Sequence, residues 1–305
     1  MSGLHSTLAA EVAELEAILA EIPESSLVER MTFEQRLRNV SEMLRNLGPE
    51  IIRKKTRLTF RGQPVVASHG IVGDFGGQAV KSFIDAYTAV VAGLEAKLQY
   101  MGPIPDKEKH QLLITGTATG SFGFEFEFPA EEPDLLSTGH SIEEDAMIKL
   151  QSLLEKSASG TDDEVTELVS EIHPRAVKKV SEFLEYVSQK QSWCGLEVNG
   201  QTFRYQDVDQ ILNSVARLRE ENIREDQESF SGEFLGVLPQ SRNFEFNVQG
   251  EDQVIRGKIG PEFDDPDILN REFHLVPVMV VFQVIQVGQG RPKYTLESNA
   301  DIQTI

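Results

Sequence analysis

The residues closest to a catalytic pattern lie in a glycine-rich stretch, Gly70–Gly77, which precedes a predicted helix. Glycines let backbone N–H groups approach a phosphate at a helix N-terminus, but this stretch has neither the Lys-Ser/Thr pair nor the spacing of the known phosphate loops. His69 and Asp74 lie five residues apart and could form an acid–base pair, although the sequence places no nucleophile beside them. We interpret the stretch as an ordinary loop. A hydrolase of unfamiliar design around His69 and Asp74 is our third functional hypothesis.

Metal ligands are not clustered in the sequence. The six histidines occur singly, without the His-x-x-x-His or His-Glu-x-x-His spacing of a zinc site. The acidic pairs Asp162-Asp163 and Asp264-Asp265 are typical of a helix start and a turn, and neither has the spacing of an EF-hand. Cys194 is the single cysteine. We therefore predict no metal, no cofactor and no disulfide, and we lean towards a protein that is not an enzyme.

Basic residues form one cluster near the start of a predicted strand and a second, looser group in the C-terminal third. A basic strand face can contact phosphates, but charge on an edge strand also protects it from aggregation, and we favour the second interpretation for the cluster. Exposed aromatic residues, on which a single-strand binder depends, are scarce. The candidate binding residues are Arg53, Lys54, Lys55, Arg57, Arg61, Arg256, Lys258, Arg291 and Lys293.

The charge balance limits the classes of partner. The 305 residues carry 29 basic and 49 acidic side chains, a net charge of −20. Residues 125–172 hold 14 acidic and 2 basic side chains, a local charge of −12. So acidic a chain is a poor general binder of nucleic acid, and any such binding should be weak. The lone cysteine and the absence of an apolar run of about 20 residues predict a cytoplasmic protein that does not enter the membrane. The N-terminus has early glutamates and no basic segment, unlike a signal peptide.

Heptad spacing predicts a helical hairpin over residues 1–50. Apolar residues recur at intervals of four and three on both arms, Pro23 separates the arms, and Gly48-Pro49 ends the second. Two helices of this length leave part of each apolar stripe open, so we expect a surface covered by the rest of the chain, a second copy or another protein. The predicted assembly residues are Leu8, Val12, Leu15, Leu19, Phe33, Leu37, Val40 and Leu44.

Residues 51–223 are predicted to form a mixed module of helices and β-hairpins. Strands are expected at 56–60 and 64–67, around a turn at 61–63, and again at 111–128 and 194–205, where Asn199-Gly200 is a strong turn signal. Helices are expected at about 78–99, 141–157, 174–189 and 206–222, and Thr161 is expected to cap another short helix. Similar hairpin–helix–hairpin patterns recur around 58–126 and 196–246. A duplication would explain them, but we favour independent use of the same turn residues.

Residues 224–305 are predicted to form a small closed barrel. About five strands, bounded by glycine turns and interrupted by one short helix near 265–272, fit the layout of an OB-type or SH3-like barrel. Such barrels bind oligonucleotides, peptides or proteins, and the fold does not choose among them.

The sequence thus predicts an α+β protein with an N-terminal helical hairpin, a mixed middle and a C-terminal small β-barrel. Our first functional hypothesis is a non-enzymatic interaction or scaffold subunit of a cytosolic, bacterial-type complex, with a protein as its partner. The alternative is a nucleic-acid-binding accessory subunit that uses the basic strand at 53–61 and the barrel.

Overall fold

The structure is a computed structural model that describes residues 2–23, 26–47, 54–118, 122–129, 141–251, 253–261, 263 and 265–305. The described chain divides into two compact units. The first contains the N-terminal helices, and the second contains all described residues from Lys55 to Ile305.

The first unit is an antiparallel pair of helices, α1 (Ser2–Glu21) and α2 (Leu27–Leu47). Arg30 Nη1 donates to the carbonyl oxygens of Leu19 and Ile22, at 3.3 and 3.0 Å, and the Arg36 guanidinium pairs with Glu11 at 2.6 Å. The Arg30 bonds join the end of α1 to the start of α2, and the Arg36–Glu11 pair joins the middles of the two helices, as the predicted hairpin requires.

The second unit begins with an antiparallel five-stranded sheet and the helices packed against it. The strand order is β4-β5-β1-β6-β7. The strands are β1 (Lys55–Gly62), β4 (Leu113–Thr117), β5 (Gly123–Glu127), β6 (Ser192–Val198) and β7 (Gln201–Arg204), and a separate small pair is β2 (Val65–Val66) with β3 (Gly70–Ile71). The helices are α3 (Gly73–Leu94), α4 (Ile142–Ser159), α5 (Asp162–Ser170), α6 (Pro174–Gln189) and α7 (Val208–Leu218).

The sheet has one apolar and one charged face because its strands alternate. Leu58 and Phe60 on β1 are fully buried, whereas Lys55 and Arg57 on the opposite face are exposed. The buried face and the helices share one core, in which Phe83 of α3 packs 5.8 Å from the ring of Phe126 on β5.

Local signals fixed several boundaries correctly. Ser141 and Thr161 cap α4 and α5 through capping boxes with Glu144 and Glu164. Asn199 and Gly200 both adopt positive φ, +50° and +79°, which the tight turn between β6 and β7 requires.

Two local predictions were wrong. The segment after Gly62 does not pair with β1, because β5 and β6 occupy both edges of that strand, and Val65–Val66 pairs instead with Gly70–Ile71. Much of the glycine-rich stretch is not a loop, because α3 begins at Gly73 and includes Gly76 and Gly77. Helical hydrogen bonds and contacts with Ile71 and Phe124 outweigh the low helix propensity of glycine there.

The C-terminal strands form a closed barrel. They are β8 (Ile223–Leu238), β9 (Asn243–Val248), β10 (Val254–Ile259), β11 (Val278–Val287) and β12 (Lys293–Leu296), with α8 (Ile268–Glu272) before β11 and β13 (Ile302–Thr304) added to its edge. The hydrogen-bonded order is β12-β10-β9-β8-β11, and β11 pairs with β12 to close the circle. The β10–β12 pair is parallel and the other four are antiparallel, which is the OB-type strand arrangement.

Aromatic rings fill the barrel. Phe282 is fully buried and lies 4.9 Å from the ring of Phe244, in a stacked pair, and 5.4 Å from that of Phe246. Gly257 leaves room for this packing, since a Cβ there would come within 2.4 Å of Phe244 and 2.5 Å of the Tyr294 carbonyl oxygen. The phenylalanine alternation in the sequence therefore marks the inner face of the barrel.

The two repeated sequence patterns occupy different environments. The Phe124–Phe126 strand pairs with β1, but the corresponding Phe244–Phe246 strand pairs with β8 and β10 in the barrel.

Candidate binding groove

The basic strand β1, which we interpreted as a charge-protected edge strand, is instead the central strand of its sheet, because β5 and β6 pair with its two edges. These neighbours place acidic side chains beside its cations. Lys55 Nζ lies 2.7 Å from Glu125 and 3.4 Å from Glu127, both on β5. Arg57 contacts Glu125 at 3.1 Å and Glu197 on β6 at 3.2 Å. The hydrogen bond to Glu125 raises the pKa of Lys55, and the reciprocal bond lowers the pKa of Glu125. A phosphate at Lys55 or Arg57 would compete with carboxylates already in place.

The remaining members of this basic cluster are less informative. Lys54 and Arg61 are exposed at opposite ends of the strand, and Arg53 lies outside the described residues. Strand β1 therefore brings together Lys55 and Arg57, and acidic side chains of the neighbouring strands β5 and β6 pair with them.

The structure does bring together the basic candidates of the barrel. Arg256, Lys258 and Lys293, from β10 and β12, line one groove of about 550 Å³ on the barrel. Arg291 lies in the turn that precedes β12 and is highly exposed. Residues scattered over 38 positions of sequence thus meet because β10 and β12 are parallel neighbours.

Acidic residues of α5 face the lysines of the groove. Lys258 Nζ contacts Glu171, which follows α5, at 2.6 Å, and Lys293 pairs with Glu167. Burial opposes ionisation of Glu171, but Lys149 and Lys258 together hold the pKa of its carboxyl below the usual range. The third cation, Arg256, pairs with Glu245 on β9 at 2.9 Å.

The acidic pair at the start of α5 fixes this arrangement. The N–H groups of Gln289 and Arg291 donate to the carboxylates of Asp162 and Asp163, at 3.0 and 2.6 Å. Thr166 also accepts a hydrogen bond from the Val287 N–H at 3.1 Å. Asp162 and Asp163, predicted as the acidic residues of a helix start, therefore also hold the turn between β11 and β12 in place at the edge of the groove.

The lining of the groove is mixed in character. Its apolar part comes from Val237, Leu238, Phe244 and Tyr294, and among these Leu238 is the most open to solvent, with 65% exposure. Neutral polar side chains complete it: Ser170, Asn243, Asn270 and Thr295. With its cations paired, such a surface suits an uncharged or amphipathic chain better than a polyanion.

The predicted assembly residues lie on the facing sides of α1 and α2. Leu8, Leu15 and Val40 are buried, at 6%, 5% and 6% exposure. The others are only half-buried: Val12, Leu19, Phe33, Leu37 and Leu44. The hairpin therefore joins all of the predicted residues except Leu19 into one seam but does not bury all of it.

The two residues of the predicted acid–base pair do not interact through their side chains. His69 and Asp74 are both exposed, and among the described residues no hydrogen bond or ion pair joins their side chains. Asp264 of the second acidic pair lies outside the described residues, and Asp265 pairs with Arg271. Over the part of the chain that the structure describes, no three His, Cys, Asp or Glu side chains are grouped as a metal site would need.

Sequence reasoning missed a buried polar cluster. His110 Nδ1 lies 2.7 Å from Glu143 on α4, and its Nε2 lies 3.5 Å from Glu95 at the end of α3. The hydroxyl of Tyr87 is buried without a partner among the described protein atoms, and burial raises its pKa. The cluster pins the loop before β4 to two helices. The three charged residues lie far apart in sequence, so no local spacing could have revealed it.

Comparisons with known proteins add no family to this picture: no family model, no curated protein and no solved structure matches the chain. None of the helices in the described residues has the length and apolar character needed to cross a bilayer.

Proposed function

We propose that this protein is a non-enzymatic binding subunit whose barrel groove holds a segment of a partner polypeptide. The observation that carries the proposal is the groove between α5 and strands β9, β10 and β12, where an apolar lining is surrounded by charges that are already paired. An apolar side chain of a partner could replace water at Leu238, while the partner's backbone could reach the amide of Asn243, which lines the groove.

The pairing of the cations argues for polypeptide over nucleic acid. Binding to a phosphate backbone gains its free energy from counterions released by free Lys and Arg side chains. Here Lys258 and Lys293 contact α5, and a phosphate would have to displace Glu171 and Glu167. The aromatic rings that would stack on bases are directed into the barrel, where Phe244 is 2% exposed.

The experiment offers both classes of ligand to the same full-length chain. The immobilised protein is used to select from a displayed random peptide library and, separately, from a random single-stranded oligonucleotide pool. The test variant is Leu238→Glu. The matched control is Leu212→Glu on α7, an exposed leucine that does not line the groove.

We expect peptides to be enriched on the wild-type and Leu212→Glu proteins, with affinities at least about tenfold weaker for Leu238→Glu, equivalent to about 1.4 kcal/mol. Enrichment of oligonucleotides with a steep salt dependence would instead establish the nucleic-acid alternative. Peptides that bind Leu238→Glu as well as wild type would show that the groove is not the site.

A further inference from the structure

The helical hairpin has an apolar seam that its own two helices do not cover. Val12 on α1 and Phe33, Leu37 and Leu44 on α2 pack against the buried residues of the seam yet remain half-exposed. Among the side chains that the structure describes in these helices of 20 and 21 residues, Leu8, Leu15 and Val40 are buried, and helices of this length depend on tertiary packing for their stability.

The open side of the seam is a groove of defined composition. It measures about 680 Å³ and runs between the two helices. Leu15, Ile18 and Phe33 provide its apolar lining, and Glu11 and Arg36 stand together at its edge, joined at 2.6 Å. A helix with apolar residues at heptad spacing and charges beside them fits such a groove, and α1 and α2 themselves have that pattern.

The charges of the two helices favour a second copy of this chain as the occupant. Over Ser2–Glu21, α1 has four glutamates and no Lys or Arg, a charge of −4. Over Leu27–Leu47, α2 has four arginines and three glutamates, a charge of +1. In a two-fold symmetric pair, α1 of each copy can lie beside α2 of the other. The acidic α1 then contacts a net positive α2 both within its own chain and across the interface.

We infer that residues 2–47 form a homodimer interface, in which two hairpins pack as a four-helix arrangement with α1 of one copy against α2 of the other. The barrel groove plays no part in this inference. Isologous pairing repeats the Glu11–Arg36 type of contact on both sides of the symmetry axis and covers Phe33 and Leu37 in each copy.

The first test measures the mass of the full-length chain. Sedimentation equilibrium from about 1 to about 100 µM, a range that brackets typical weak dimers, should give twice the chain mass at the upper end. Phe33→Glu places a charge in the seam and should weaken the dimer at least about tenfold. The matched control Gln35→Glu makes a similar charge change on an exposed position of α2 and should leave the dimer intact.

The second test stays decisive if Phe33→Glu unfolds the hairpin. Cys194 is buried, so a new exposed cysteine would be the reactive thiol of the chain. Under a glutathione redox buffer, a mixture of Ile18→Cys and Phe33→Cys chains should form a disulfide-linked dimer, because these positions line the groove from α1 and from α2. A mixture of Ala17→Cys and Gln35→Cys chains, with both thiols on exposed positions, should do so far less.

A wild-type chain that stays monomeric over the whole concentration range would overturn the inference and leave the seam to the rest of the chain or to a different protein. A dimer whose stability is the same in Phe33→Glu and Gln35→Glu, with equal cross-linking in the two cysteine mixtures, would show that the interface lies elsewhere.

Discussion

Replacing Phe282 with alanine tests whether the barrel is a self-contained folding unit. Phe282 is fully buried, and four rings surround it: Phe230, Phe244, Phe246 and Tyr294, with centroids 4.9 to 6.1 Å away. Removal of a buried phenylalanine costs about 3–5 kcal/mol, and the lost aromatic pairs place this site at the upper end. We expect a loss of about 4–5 kcal/mol in the free energy of unfolding of the barrel.

Two probes can follow the two cores separately. The single tryptophan, Trp193, lies on β6 and reports on the five-stranded sheet. Hydrogen exchange of peptides from β9 and β11 reports on the barrel. The two cores share no buried residue, although the far ends of β8 and β11, with Ile223 and Val287, reach the core of the sheet.

We expect Phe282→Ala to accelerate exchange in the barrel while the urea midpoint of Trp193 fluorescence moves little. Phe203→Ala, in the edge strand β7 and only partly buried, is the control and should affect the Trp193 transition alone. Equal destabilisation at both probes by Phe282→Ala would refute the reasoning, because it would mean that the strands shared through β8 and β11 make the sheet and barrel one cooperative unit.

Four further substitutions test other parts of the structure. His110→Leu leaves Glu143 buried without its partner and should cost about 3 kcal/mol near neutral pH. Burial opposes ionisation of Glu143, yet the hydrogen bond to His110 keeps the pKa of Glu143 below its usual value. A carboxyl group whose pKa is lowered in the folded state adds stability above its unfolded-state pKa, and this contribution disappears as the pH falls. Urea titrations should therefore show that His110→Leu costs less free energy of unfolding at about pH 4 than at about pH 7. Gly257→Ala should destabilise the barrel by about 1–3 kcal/mol in the same exchange assay, since the Tyr294 carbonyl oxygen cannot retreat without breaking the β10–β12 pair; wild-type exchange would contradict the packing described. His69→Ala and Asp74→Ala should each keep cellular function within about threefold of wild type, and loss of function in a normally folded variant would revive the hydrolase hypothesis.

Features that depend on near neighbours in sequence were predictable. The heptads of α1 and α2, the capping residues Ser141 and Thr161, and the Asn199-Gly200 turn each act over a few residues, so their effect is the same whatever packs above them. The alternation around Phe244 and Phe246 marks the inner face of the barrel for a similarly local reason, because successive side chains of a strand point to opposite sides.

Contacts between distant residues were decided by the tertiary structure. Leu58 of β1 lies opposite Leu196 of β6. The hairpin predicted after Gly62 does not form, because β6 already occupies that edge of β1. Lys55 and Arg57 looked like a basic patch, but Glu125 and Glu197 neutralise it from neighbouring strands. Strand pairing and charge pairing depend on which surfaces meet after folding, and local propensity carries little information about that.

The sequence by itself determined the classes of element, their order and the apolar side of each, since periodicity and turn chemistry are local properties. Only the tertiary structure placed Lys258 and Lys293 together against α5 and joined His110 to Glu143 across the core. Both arrangements depend on electrostatic contacts between residues more than thirty positions apart. These contacts stabilise the protein only when packing has brought the partners within a few ångströms and removed the water between them.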